Sequence, residues 1–107
     1  MKKILRGTTC RTYNSVVVLG RAMEDPKMTE DPAYGPHTTF SLVSERKTGI
    51  GREPVTVRIE ARRRLAELCV EIIKKGREVL IVGQLGRKEK TGVLVHASEI
   101  KFLGGDR

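Results

Sequence analysis

Aromatic side chains are scarce in this chain: it has no tryptophan, and its tyrosines and phenylalanines amount to Tyr13, Tyr34, Phe40 and Phe102. A surface built mainly on stacked rings is therefore excluded. Cysteine is limited to Cys10, in a polar N-terminal stretch, and Cys69, in an apolar helical stripe. Neither a disulfide framework nor a thiolate metal site is expected, and a reducing intracellular compartment is. The longest apolar run, Val16 to Leu19, falls far short of a membrane span or a secretory core. His37 and His96 lack cysteine or carboxylate partners at ligand spacing, so no metal or other cofactor is expected. There is also no Ser-His-Asp arrangement, no paired carboxylate and no phosphate-cradling glycine motif. The chain therefore reads as a binding protein rather than an enzyme.

What is abundant is positive charge. Across 107 residues, 21 Lys and Arg against 13 Asp and Glu leave a net charge of +8. That length supports one domain with a modest core, and the charge favours an acidic partner, nucleic acid first. The charge comes in blocks. Residues 1 to 23 carry Lys2, Lys3, Arg6, Arg11 and Arg21 with no acid, whereas residues 24 to 31 carry Glu24, Asp25, Glu30 and Asp31 against a single Lys. Bases return over residues 46 to 64, including Arg62-Arg63-Arg64 at a helix start, where they oppose the helix dipole. A soluble surface that is merely basic is the plainer reading of the same composition.

Hydrophobic periodicity predicts five strands and one helix. Asn14 to Gly20 is a short apolar strand, and Asp25-Pro26 through Tyr34-Gly35-Pro36 reads as an acidic, turn-rich loop. His37 to Glu45 alternates as a second strand, with Phe40 expected in the core. The glycines at 49 and 51 predict a mobile turn over Lys47 to Arg52. In the third strand Val55, Val57, Ile59 and Ala61 share one face, while Thr56, Arg58, Glu60 and Arg62 share the other. Leu65, Leu68, Cys69, Ile72 and Ile73 then mark a helix stripe, with Lys74, Lys75 and Gly76 at its close. Val79 to Leu85 and Val93 to Ile100 are the last two strands, joined by a hairpin signal at Lys90-Thr91-Gly92. Three strands, a helix and two strands is the element order of an all-β, five-stranded OB-fold barrel with its helix between strands three and four. The domain is expected over residues 14–103, behind a basic extension of residues 1–13.

Asn14-Ser15-Val16-Val17-Val18-Leu19-Gly20-Arg21 with Glu24-Asp25-Pro26, then Thr39-Phe40-Ser41-Leu42, then Arg64-Leu65-Ala66-Glu67, Lys75-Gly76 and Val82-Gly83-Gln84-Leu85 together resemble the bacterial and mitochondrial single-stranded DNA-binding proteins. The resemblance implies an OB-fold that assembles as a homodimer or homotetramer and wraps single strands during replication and repair. It also marks departures. Lys47, Thr56 and Arg62 stand where that family commonly presents stacking aromatics, and Gly86 to Gly92, another frequent stacking site, has no ring. An acidic recruiting tail is common in the family, whereas this chain closes on Gly104-Gly105-Asp106-Arg107, read as a frayed end. The ligand face is thus expected to have exchanged rings for charge, since guanidinium planes stack on bases as well as pair with phosphate.

The candidate nucleic-acid-binding residues are Arg21, Tyr34, Arg46, Lys47, Arg52, Thr56, Arg58, Arg62, Arg87, Lys88 and Lys90. Tyr34 is the candidate stacking ring, with a loop anchor as its plainer role; for Arg58 and Arg62 the plainer role is pairing with neighbouring acids. Phe102 is expected in packing or a subunit contact. An arginine groove does not test for the sugar hydroxyl, so DNA and RNA both remain open. A second function class stays beside single-strand binding: an OB scaffold or RNA-binding component of a primosome, an organellar ribosome or an RNA-processing complex. Residues 1–13 read equally as an import sequence or as a phosphate-binding arm, giving a nucleoid or mitochondrial location.

Overall fold

The computed structural model describes residues 11–88 and 92–103. Most of the basic extension, Lys90 and the Gly104-Gly105 end lie outside the described residues. The elements in chain order are β1 (Val16–Ala22), β2 (Thr29–Asp31), β3 (Gly35–Thr48), β4 (Gly51–Arg62), α1 (Arg63–Ile72), β5 (Glu78–Lys88) and β6 (Gly92–Phe102). Hydrogen bonding runs β1-β5-β6-β4-β3-β2, and β1 pairs with β3 as well as with β5. That second pairing, Arg21 with Val43 and Ala22 with Leu42, closes the five long strands into the expected barrel with the helix between its third and fourth strands.

Alternation decides which side of each strand faces inward. Phe40 and Leu42 of β3, Ile59 and Ala61 of β4, and Val79 and Ile81 of β5 are all buried, as the period of two requires. The large apolar side chains among them each contribute roughly 1.5–3 kcal/mol by leaving water. Phe40 is in the core as its strand position predicts, and Phe102 packs on the core edge beneath the Arg77 guanidinium. Buried Thr38 is satisfied, its hydroxyl donating to the Lys27 carbonyl at 2.8 Å.

Several boundaries differ from the sequence reading. The turn expected over Lys47 to Arg52 is instead strand almost throughout, paired as far as Thr48 with Gly51, so only Gly49 and Ile50 turn. Pairing carries β3 and β4 beyond the barrel as a two-stranded arm with Ile50, 99% exposed, at its tip. The acidic loop contains β2, whose Thr29 and Asp31 pair with His37 and Gly35. In α1 the buried positions are Ala66 and Cys69, followed by Ile73 at the cap, while Leu65, Leu68 and Ile72 flank them half-buried. Cys69 and Ile73 of the expected stripe are thus its buried centre, and Ala66 joins them there in place of Leu65. The helix also stops at Ile72, before the Lys-Lys-Gly signal: Ile73 is extended, and Gly76, at φ 91°, occupies the third position of a turn closed by Arg77 N donating to Lys74 O.

Candidate nucleic-acid interface

The outward row of β4 comprises Arg52, Pro54, Thr56, Arg58, Glu60 and Arg62, alternate residues opposite the buried ones. From Arg52 to Arg62 this row covers about 33 Å at the usual strand rise. Register places Lys47, Ser41, Thr39 and His37 of β3 beside Arg52, Arg58, Glu60 and Arg62. The parallel pairing of Glu60 with His96 brings β6 onto the same face. Because β4 and β6 run parallel, the β3–β4 arm and the β5–β6 hairpin leave the barrel at the same end.

At the arm, Arg52 Nη1 pairs with Glu45 Oε1 at 3.2 Å, and Lys47 beside it has no side-chain partner among the described residues. A cleft of about 510 Å³ between β1 and the arm is lined by Arg21, Arg52, Glu45 and Glu78, among others. Arg21 and Arg52, far apart in sequence, thus share one recess. Arg46 does not join them: it pairs with Glu53 at 2.8 Å across the opposite face of the ribbon. These arm pairs are exposed, contribute at most about 1 kcal/mol each and yield readily to a phosphate.

Midway along the row, the Arg58 guanidinium is fixed from three sides. Nη1 donates to Glu24 Oε2 at 2.9 Å and to Ser41 Oγ at 2.8 Å, while Nη2 donates to Thr39 Oγ1 at 3.0 Å. Arg58 faces outward, with 34% of its side chain exposed. Thr56, one step nearer the arm, is exposed, its hydroxyl 4.0 Å from the Met23 sulfur.

At the far end, the Arg62 guanidinium lies 5.1 Å from the centre of the Tyr34 ring. This cation–π contact covers one face of the phenol, although Tyr34 itself remains exposed. Glu60, with only 13% of its side chain exposed, sits between Arg62 Nη2 at 3.5 Å and His96 Nδ1 at 2.6 Å. Its Oε1 accepts no aligned hydrogen bond among the described residues. Arg87 and Lys88 are exposed near the end of the second hairpin, apart from this cluster.

Residues 13–101 match the single-strand binding protein family. The chain belongs to this family. Over 75 residues it is 36% identical to a single-stranded DNA-binding protein of Caldanaerobacter subterraneus subsp. tengcongensis, covering 67% of this chain and 50% of that protein. The chain therefore spans about half the length of that curated relative. Its fold is similar to the crystal structure of a small single-stranded DNA-binding protein from Streptomyces coelicolor, with a TM-score of 0.73 and 18% identity over 86% of this chain and 95% of the other.

Within this member of the single-strand binding family, the face contains contacts that sequence reasoning did not name, apart from the pairing of Arg62 with its neighbour Glu60, which it offered as the plainer role. Glu24 reaches Arg58 from another element, Glu60 couples Arg62 to His96, and Ser41 and Thr39 orient the guanidinium. Strand alternation puts Thr39, Ser41 and Glu60 on outward faces and was a usable signal for them. Nothing local marks Glu24, whose contact depends on where β1 ends against β3.

Proposed function

We propose that this protein binds unpaired DNA without marked sequence preference, in the service of replication and repair, and performs no covalent chemistry. The observation that carries this reading is the row Arg52, Arg58 and Arg62 along one open face of β4, in a chain that belongs to the single-strand binding family. Guanidinium groups at intervals along a strand meet successive phosphates, and their planes offer bases a stacking surface in place of rings. Arg21, Lys47, Thr56, Tyr34, Arg87 and Lys88 extend the contact to either side. Arg46, on the reverse of the arm, meets only a strand that wraps around it.

The protein also self-associates in this reading, as a homodimer or homotetramer. On the outer face of β1 and β5, Val17 stands beside Val82 and Leu19 beside Leu80, with Val17 64% exposed. An apolar face next to a partly unpaired strand is the kind of surface that a second copy covers.

One observation favours a second reading, an OB module that takes RNA or a protein partner within a larger assembly: each arginine of the row already faces an acid. Titrating labelled oligo-dT, oligo-U and duplex DNA at two salt concentrations separates the readings. Single-strand preference, with about a twentyfold loss between about 50 and about 200 mM salt, is expected for three phosphate contacts. Failure of the isolated protein to bind any strand would remove the first reading.

A further inference from the structure

We propose that the Glu24 carboxylate occupies a phosphate-binding site of its own protein, formed by Arg58 and the Ser41 backbone N–H, and that a phosphodiester of the bound strand displaces it. The proposal rests on the reading of the β3–β4 face as the single-strand surface. Glu24 Oε2 accepts from Arg58 Nη1 at 2.9 Å and from Ser41 N at 3.2 Å. A guanidinium and a backbone amide converging on one anionic oxygen is the coordination that phosphate oxygens take in nucleic-acid interfaces.

The site does not depend on Glu24 for its shape. Ser41 Oγ and Thr39 Oγ1 hold both terminal nitrogens of Arg58 from the sheet itself, so the fork keeps its direction when the carboxylate leaves. Departure is also local. Asp25, the next residue, is anchored by Lys75 N donating to its Oδ1 at 2.7 Å, and Met23 N donates to Ser41 O at 2.9 Å. The backbone on either side of Glu24 is therefore pinned while its side chain, 47% exposed, is free to rotate into water.

A purely structural role for Glu24 is to take the Ser41 N–H where the β1–β3 ladder ends. Glutamine at this position performs that role as well, through its amide oxygen, but carries no charge to compete with phosphate. The experiment therefore compares oligo-dT affinity, at one low salt concentration, for wild type, Glu24→Gln and Glu30→Gln. Glu30 lies on the same acidic segment without contact to Arg58, so its substitution removes an equal charge and leaves the site filled. Each variant is also made with Arg58→Ala, or with Arg58→Gln if the alanine protein melts early.

Glu24→Gln is expected to tighten binding about fivefold, the equivalent of releasing one partly exposed ion pair, and Glu30→Gln by less than about twofold. The advantage of Glu24→Gln is expected to vanish once Arg58 is replaced. Equal gains from both glutamine variants, or a gain that persists without Arg58, would overturn the proposal while leaving the face in place. No oligo-dT binding by any of the proteins would overturn the reading of the face, and this proposal with it.

Discussion

At Arg58 and Arg62 a positive charge on an open sheet face is matched by an acid, Glu24 from the segment after β1 in one case and Glu60 of the same row in the other. The matching keeps the free surface from repelling itself, and at the partly exposed Arg58–Glu24 pair it holds too weakly to resist a polyanion. Replacing both arginines with alanine is expected to lower the salt slope of single-strand binding by about 1.4, at roughly 0.7 per lost phosphate, and to do so equally for oligo-dT and oligo-dC. A slope unchanged in that titration would mean that phosphates run elsewhere. A different residue reports on the core. Burial pushes the Cys69 thiol from 9.0 up to about 12. Between those values the folded chain keeps a proton that the unfolded chain has lost, so this residue's contribution declines as pH rises and is intact below about 9. Urea melts at about pH 8 and about pH 10 are expected to show wild type losing roughly 1 kcal/mol more than Cys69→Ala, and thiol reagents are expected to label Cys69 only after unfolding.

The junction between β4 and α1 combines features that each work against the helix. Arg63 adopts φ 56°, the left-handed region, the helix has no side-chain cap, and its first turn has no acid. Arg63→Gly is expected to raise stability by about 1 kcal/mol in a denaturant melt, because glycine enters that region without the Cβ penalty. Arg63→Ala, which removes the same charge but keeps the Cβ, is expected to give little of that gain. The β5–β6 ribbon sets the opposite limit. At its irregularity between Val82 and Gly83, a Cβ on Gly83 would collide with the His96 carbonyl oxygen, which backbone pairing holds in place. Gly83→Ala is accordingly expected to cost about 2 kcal/mol or more, read as a lowered melting midpoint. The element order was legible because strand and helix periods differ and each long element has one clear inward face. The ends were not. Cross-strand pairing, which the local pattern does not encode, lengthens β3 and β4 through Lys47 and Arg52, and it turns Thr29-Glu30-Asp31 into a strand although Glu30 and Asp31 disfavour one.

Across the whole molecule, the outward placement of Thr56, Arg58 and Arg62 follows from alternation within one strand and was readable in the sequence, whereas Arg52, expected in a turn, joins their row only through cross-strand pairing. The contacts around the row were not readable: Glu24 and Arg58, or Glu60 and His96, meet only because the barrel closes in a particular register. The same closure leaves the barrel with two unlike surfaces, the charged face of β3 and β4 and the apolar face of β1 and β5. A net charge of +8 on separate 11.9 kDa chains opposes association at long range, so a stable assembly needs apolar contact at short range. Val17 and Leu19, with Val82 and Leu80 beside them in the same outward row, offer such an apolar face to the proposed second copy. Light scattering behind a sizing column is expected to give wild type a mass that is a multiple of the single chain, with Val17→Lys plus Leu19→Lys returning it to one chain. The lysine variant is expected to bind a short oligonucleotide no more weakly than wild type, because Leu19 lines the same cleft as Arg52 and a lysine there adds positive charge, whereas the assembled form gains on long strands by engaging several faces at once. A wild-type protein that runs as a single chain at micromolar concentration, or a lysine variant that stays assembled, would show that this face is not where copies meet.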